Sequence, residues 1–256
     1  MIAVLSPAKS LDFDYKSPIK TTQPHFSKEA DRLAGILKKK TEADLKSLMN
    51  LSDSLAELNT QRYAEWQSKP ADDSTAAAGF AFTGDVYQGM DLRSKSKDAL
   101  AYAAKHIRIL SGIYGVLRVT DAMQPYRLEM GTKLKTERGE SLYDFWGDSI
   151  TERLNEELAD LNSDTLVNLA SNEYFKSVNK KKLNAEIITP EFKDFKNGKF
   201  KVISFYAKKA RGAMAAFMME NNVQKVDDLE AFTGMGYALN NHLSKKNKPV
   251  FTRGEV

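Results

Sequence analysis

The sequence predicts an α+β protein. It reads as a single mixed domain over residues 1–256, with a central irregular sheet, surrounding helices and a broken helical pattern that has the layout of a helix-hairpin-helix element. Three observations predict this. Short apolar or alternating runs such as "IAVL", "HIRIL" and "TLVNLA" are dispersed along the chain, amphipathic stretches fall between them at uneven intervals, and one helical pattern breaks after Met49 and resumes at Ser52. There is no regular β-α-β alternation, and no internal repeat, low-complexity block or linker divides the chain.

In order, Ile2 to Leu5 form a short buried strand, followed by a polar stretch rich in Pro, Ser and Thr that is irregular. Ser27 stands as the N-cap of a helix over 27–39, with Ala30, Leu33, Ala34 and Leu37 on one side. Thr41 with Asp44 three residues on opens a second helix, which runs to about Met49. After the break, a third continues from Ser52 to Trp66. The run "AAAGFAF", ahead of Thr83-Gly84-Asp85, reads as a strand ending in a turn. Strands are expected at 106–110, 165–170 and 186–192, and helices at 94–105, 148–161 and 207–221. Asn197-Gly198, whose backbones accept positive φ, marks a β-hairpin between its flanking arms.

Composition narrows the chemistry. With 42% hydrophobic and 28% charged residues the 256-residue chain is ordinary for a soluble globular protein. The absence of cysteine excludes disulfides, thiolate metal sites, iron-sulfur clusters and a cysteine nucleophile. His25, His106 and His242 are dispersed without ligand spacing, so no metal site, no tightly bound metal and no cofactor are expected. An iron-binding protein would need an all-carboxylate site, and no clustered carboxylate motif is present. The apolar run at the start is too short for a signal-peptide core, no segment approaches a membrane span, and a cytoplasmic location with no membrane partner is expected. The net charge is +4, yet between Lys176 and Arg211 eleven cationic residues face three carboxylates, leaving the rest of the chain net acidic. Such asymmetry fits a face for a polyanion, and a solvated lysine-rich surface gives the same count.

Residues 48–56, "LMNLSDSLA", have the layout of a helix-hairpin-helix, with Asn50 and Ser52 in the places usually held by glycine. A tight hairpin of this kind points the N–H groups around Leu51, Ser52 and Ser54 outward toward a DNA phosphate. Asp53 opposes that role, and from the residues alone a packed αα-hairpin is the leading reading. In "QPYRLEMG", Arg127 and Glu129 fall on one face of an extended segment and can pair, either as an ion pair beside a turn or as a ligand-binding pair. "NLASNEYFKSV" places Ser171, Asn172, Glu173 and Tyr174 at the carboxyl end of a predicted strand, where ligands gather in open α/β sheets. The competing account is an N-cap with an acidic first turn. In "AKKARGAM", Lys208, Lys209 and Arg211 sit in the first turns of the expected helix, against its macrodipole. Phosphate contact would explain that violation, and so would ion pairs with Glu129 or Glu173. "SPAKSLD" puts Lys9 just after the first strand, without a Walker-type loop.

With "SPAKSLD", "GDVYQGM", "LSGIYGVLR", "QPYRLEMG", "NLASNEYFKSV" and "AKKARGAM" in this order, the chain resembles the bacterial peroxide stress resistance protein YaaA family, from Met1 to about Phe251. The resemblance departs at Arg118-Val119, where a proline usually follows the arginine, and again near the C-terminus. It implies a cytoplasmic DNA-binding protein of the oxidative stress response, with a basic cleft, that limits DNA damage and keeps intracellular iron low. It also implies double-stranded or structured DNA as the partner. Carried onto this chain, the hairpin element falls on Asn50, Leu51, Ser52 and Ser54, and the basic cleft on Lys9, Arg127, Lys133, Lys176, Lys208, Lys209 and Arg211. The rival is an enzyme acting on a nucleobase, nucleotide or nucleic acid, with Arg127, Glu129 and Glu173 as its candidate catalytic residues. A binding protein is the favoured reading of the two.

Overall fold

The computed structural model describes residues 1–254, so the last two residues of the expected domain lie outside the described residues. Its strands are β1 (Ile2–Leu5), β2 (Ser10–Leu11), β3 (Ala76–Ala77), β4 (Phe82–Thr83), β5 (Ile107–Ser111), β6 (Gly115–Arg118), β7 (Ala122–Met123), β8 (Thr165–Asn168), β9 (Glu186–Ile188), β10 (Glu191–Lys196), β11 (Lys199–Lys201), β12 (Ala238–Leu239) and β13 (Val250–Arg253). Its helices are α1 (Ser27–Lys38), α2 (Glu42–Met49), α3 (Asp53–Ala64), α4 (Ala78–Ala81), α5 (Asp85–Met90), α6 (Lys97–His106), α7 (Leu142–Trp146), α8 (Ser149–Asp160), α9 (Asn172–Phe175) and α10 (Ser204–Glu220). The architecture is mixed α and β, as the sequence predicts.

β1 is buried along its whole length, which requires cover on both faces and a neighbour at each edge. β5 and β8 supply the neighbours, both parallel, with Ala3 opposite Ile107 and Val167. β9 continues beyond β8 and antiparallel β6 closes the far edge, giving the order β6-β5-β1-β8-β9. The chain leaving β1 turns toward β5 and the chain leaving β8 turns the opposite way, toward β9. The carboxyl ends of β1 and β8 therefore flank a topological switch point, where open α/β sheets leave a crevice for ligands.

A second sheet has the order β11-β10-β13-β12. Its hairpin turns at Asn197 and Gly198, both at positive φ (55° and 75°), which matches the twist of the paired strands. α10 packs on this sheet and runs against α5 with almost no space between the backbones. A Cβ added at Gly212 would lie 1.8 Å from the Val86 carbonyl oxygen, and one at Gly89 would lie 2.1 Å from that of Lys209. Glycine alone allows that approach.

Several local expectations change. Phe26, not Ser27, occupies the capping position of α1 and makes no side-chain cap, because its ring is used in the core, edge-on to Trp146 at 5.2 Å. The "AAAGFAF" run is two short strands around the helical turn α4. Its small residues let that turn tuck in, with the N–H groups of Ala78 and Gly79 donating to the carbonyls of Asp121 and Val119, both at 2.9 Å. α6 starts at Lys97 because Ser96 caps it, and it takes His106 from the expected strand. β5 is buried throughout rather than alternating, and its Arg108 is accommodated by Glu157 at 2.6 Å. The segment 186–192 is two strands: Pro190 lies at the point where the chain passes from the first sheet to the second. α10 begins at Ser204, three residues before the expected start, so Lys208 lies in its second turn and Arg211 in its third. The macrodipole fades within one turn, so it does not oppose these charges as the sequence suggested.

Candidate functional site at the switch point

Two loops build the crevice. Ser6, directly after β1, accepts the backbone N–H of Ser171 on its Oγ at 2.9 Å, and Ser171 follows β8. Tyr87 on α5 donates its hydroxyl to the Ser6 carbonyl at 3.1 Å, so α5 is tied to the same point. The resulting cavity, about 480 Å³, is floored by Tyr87, Tyr126, Leu128, Leu169 and Tyr174. Burial pushes the phenol pKa of all three tyrosines above the ordinary value, so they remain neutral. Tyr126 exchanges a hydrogen bond with Ser111 at 2.6 Å. The floor is thus apolar and aromatic, with its hydroxyls largely spoken for.

The mouth is charged. Lys9, Arg127, Lys208 and Arg211 line it together with Asp85, Glu129 and Glu173. Glu129 Oε1 is held by Lys9 Nζ at 2.7 Å and by Arg127 Nη2 at 3.4 Å, the pairing that the two-residue spacing predicts. Glu173 Oε1 accepts the Gly131 N–H at 2.9 Å, and the Tyr143 hydroxyl donates to the Glu173 carbonyl. Arg127 is anchored through its carbonyl, which accepts the Tyr63 hydroxyl at 2.6 Å, while its Nε is buried without a hydrogen-bond partner. Burial lowers the guanidinium pKa of Arg211, with Glu191 acting the other way, and Arg211 forms no ion pair among the described residues. Lys9 and Arg127 share the Glu129 carboxylate, whereas Lys208 and Arg211 on α10 form no ion pair among the described residues, with Asp85 and Glu173 as the other carboxylates lining the opening.

The other expected binding residues lie elsewhere. Lys133 is exposed, Lys176 sits over the Tyr143 ring at 4.7 Å in a neighbouring cleft, and Lys209 faces a different side of α10 from Arg211. The break at residues 50–52 is a three-residue connection between α2 and α3. Asn50 takes the left-handed conformation (φ 50°), Leu51 is buried as the plug of the turn, and Ser52 accepts the Leu55 N–H at 3.4 Å. Asp53 is paired with Lys46, which offsets the charge that opposed phosphate. The first N–H groups of α3, those of exposed Asp53 and Ser54, have no intrahelical acceptor. This tip stands about 17 Å along α3 from Tyr63, the residue that touches Arg127. The hairpin and the cavity are two separate features joined by one helix.

Sequence reasoning missed Tyr87 and the pairing of Ser6 with Ser171. Arg62 lies close enough to Arg127 that this neighbour, after burial, contributes to lowering its pKa. Nothing local marks Tyr87 or that pairing: α3 and α5 reach the strand-end loops through tertiary contacts, Tyr63 to Arg127 and Tyr87 to Ser6, and strand order brings Ser6 to Ser171. Among the described residues no group of three His, Cys, Asp or Glu side chains could hold a metal ion, and no helix is long and apolar enough to cross a membrane.

Comparison with known proteins gives a consistent result over the whole length. A family profile described as "Peroxide stress protein YaaA" matches residues 1–243. A UPF0246 protein of Idiomarina loihiensis is 52% identical over 256 residues, covering 100% of this chain and 99% of the relative. UPF0246 proteins of Hahella chejuensis (49%, covering 99% of each chain) and of Aliivibrio fischeri strain MJ11 (50%, covering 100% of this chain and 99% of the relative) match equally fully. The six sequence blocks that carry the resemblance lie within the matched region, most of them around the cavity, and the chain belongs to the YaaA peroxide stress protein family.

Proposed function

We propose that this protein binds DNA in the cytoplasm during the peroxide response, gripping the phosphate backbone at the mouth of the switch-point cavity and at the tip of the α2-α3 hairpin. In doing so it shields DNA from oxidative damage while intracellular iron is kept low. The observation that carries this reading is the convergence of Lys9, Arg127, Lys208 and Arg211, from three distant parts of the chain, on one opening. The free N–H groups of α3 add a second phosphate contact. Family membership supports the link to peroxide stress.

Backbone binding of this kind weakens steeply with salt, because each neutralised phosphate releases counterions. Duplex affinity measured across a salt series should fall log-linearly, and Lys208→Gln should reduce the slope by roughly one unit. A flat salt response, or no binding at micromolar protein, would end this reading. Ser52→Trp, compared with Lys208→Gln, separates the hairpin from the cleft.

One observation supports a second reading, an enzyme acting on a nucleobase or nucleotide: Glu129 is clamped between Lys9 and Arg127 above an aromatic floor. A carboxylate so placed can exchange a proton with a bound base. Under that reading Glu129→Gln abolishes product formation from DNA or nucleotides while leaving binding nearly intact. No product with either protein would leave binding as the sole role.

A further inference from the structure

Phe205 heads α10 with 54% of its surface exposed, next to Val202 at 53% and Tyr206 at 40%. Single exposed apolar side chains are common and need no account. This one leads a row. Phe205, Lys208 and Arg211 are spaced three residues apart, so each stands beside the next along the i±3 ridge, about 4.5 Å further along the axis. The row starts at an open phenyl ring and ends at the unpaired guanidinium inside the cavity mouth.

The surroundings have the same character. Lys196 and Lys199 are opposite each other in the β10-β11 hairpin, and Lys199 and Lys201 share a face of β11. None of these lysines forms an ion pair among the described residues. The Arg253 guanidinium lies over the Tyr206 ring at 4.6 Å, and Tyr206 meets the Phe205 ring edge-on at 5.5 Å. The ring of Phe205 thus stands exposed with an aromatic neighbour beside it.

We propose that this site takes an unpaired nucleotide of single-stranded DNA. A base stacks on Phe205, Lys208 neutralises the phosphate beside it, and the next nucleotide enters the cavity, with Arg211 and Arg127 toward its phosphate and the tyrosine floor toward its base. The inference rests on the DNA-binding reading above and adds the form of strand that is held. Two physical arguments favour it. A paired duplex hides the faces of its bases, so an exposed aromatic ring serves only unpaired ones. A cavity of about 480 Å³ admits one nucleotide and excludes a duplex. The cations also extend past the mouth onto the β10-β11 hairpin, further than a free mononucleotide reaches.

The test uses the full chain, a twelve-nucleotide oligo-dT and a mixed-sequence twelve-base-pair duplex, each fluorescently labelled. Phe205→Ala should weaken oligo-dT binding roughly fivefold or more, the scale of losing one base stack, and duplex binding less than twofold, with Phe205→Tyr restoring the former. In a second arm, one 4-thiothymidine placed mid-strand is irradiated in the complex. Crosslinks to residues 6–10 or 126–129 are expected. Crosslinks confined to residues 50–54, or equal losses on both DNAs in Phe205→Ala, would overturn the inference and leave the DNA-binding reading standing. Failure of both DNAs to bind would remove both, and binding of free dTMP without either DNA would overturn the strand assignment in favour of a free nucleotide.

Discussion

Ser6 Oγ accepts the Ser171 N–H at 2.9 Å and lies 3.3 Å from the Ser171 hydroxyl, joining loops 165 residues apart. Each loop leaves a neighbouring parallel strand, so this contact fixes how far the crevice between β1 and β8 opens. Lys9 follows three residues after Ser6 and Glu173 two after Ser171, which makes the separation of the charged groups at the mouth depend on one hydroxyl.

Ser6→Ala should therefore lower stability by about 1 kcal/mol and weaken DNA binding as well, while Ser6→Thr keeps both. Urea unfolding checks the first part through the midpoint at constant slope. Unchanged binding in the alanine variant would mean the crevice is held by other contacts.

The α5-α10 contact is less forgiving. Gly212→Ala places a methyl where the Val86 carbonyl oxygen already is, so the helices must part. A loss of about 1–3 kcal/mol is expected, the usual range for overpacking, together with weaker binding because Lys208 and Arg211 move with α10. Thermal unfolding and DNA titration on the same variant measure both.

Glu157 is buried between Arg108 Nε at 2.6 Å and Arg153 Nη2 at 2.7 Å. Burial lowers the Arg108 pKa and Glu157 opposes that shift. Glu157→Gln strands the guanidinium and should cost about 3–5 kcal/mol, whereas Arg108→Met combined with Glu157→Leu should recover most of the loss. Chemical denaturation of the single and double variants decides it.

His106 Nδ1 donates to the Met1 carbonyl at 2.8 Å, and its ring stacks on Tyr102 at 4.2 Å. Burial, partly opposed by that hydrogen bond and reinforced by the Met1 amino group, Arg108 and Lys105, holds the imidazole below its usual 6.5. The unfolded chain takes up this proton at a higher pH than the folded one, so stability is full above about 6.5 and declines as pH falls below it. Tm measured between about pH 7 and about pH 5 should drop less in His106→Gln than in the parent, and an equal drop would exclude His106 as the cause.

The parts of the fold legible in sequence were those encoded locally. Thr41 and Asp44 announce a capping box that the structure contains, Asn197-Gly198 announces a hairpin, and four apolar residues in "IAVL" announce a fully buried strand. What was hidden depends on tertiary context. "AAAGFAF" could be extended or helical until Asp121 and Val119 supply the carbonyls that accept its N–H groups. The start of α10 was obscured because Ser204, Phe205 and Tyr206 look like the end of a strand. At the site, Arg127 and Glu129 could be paired from their spacing, but the union of Ser6 with Ser171, and of both with α10, follows from strand order, which no local pattern carries.

Strand order also sets the timetable of assembly. β1, the first strand made, is the middle of its sheet and waits for β8 before it is covered on both edges. β13, the last made, is an inner strand of the other sheet, and its Arg253 grips Asp194 at 2.8 Å while lying over Tyr206 and Tyr237. The Arg253 contact on Tyr206 at the start of α10 thus forms only after residue 253 has been made. The side of the crevice that α10 supplies gains this brace last among the described strands.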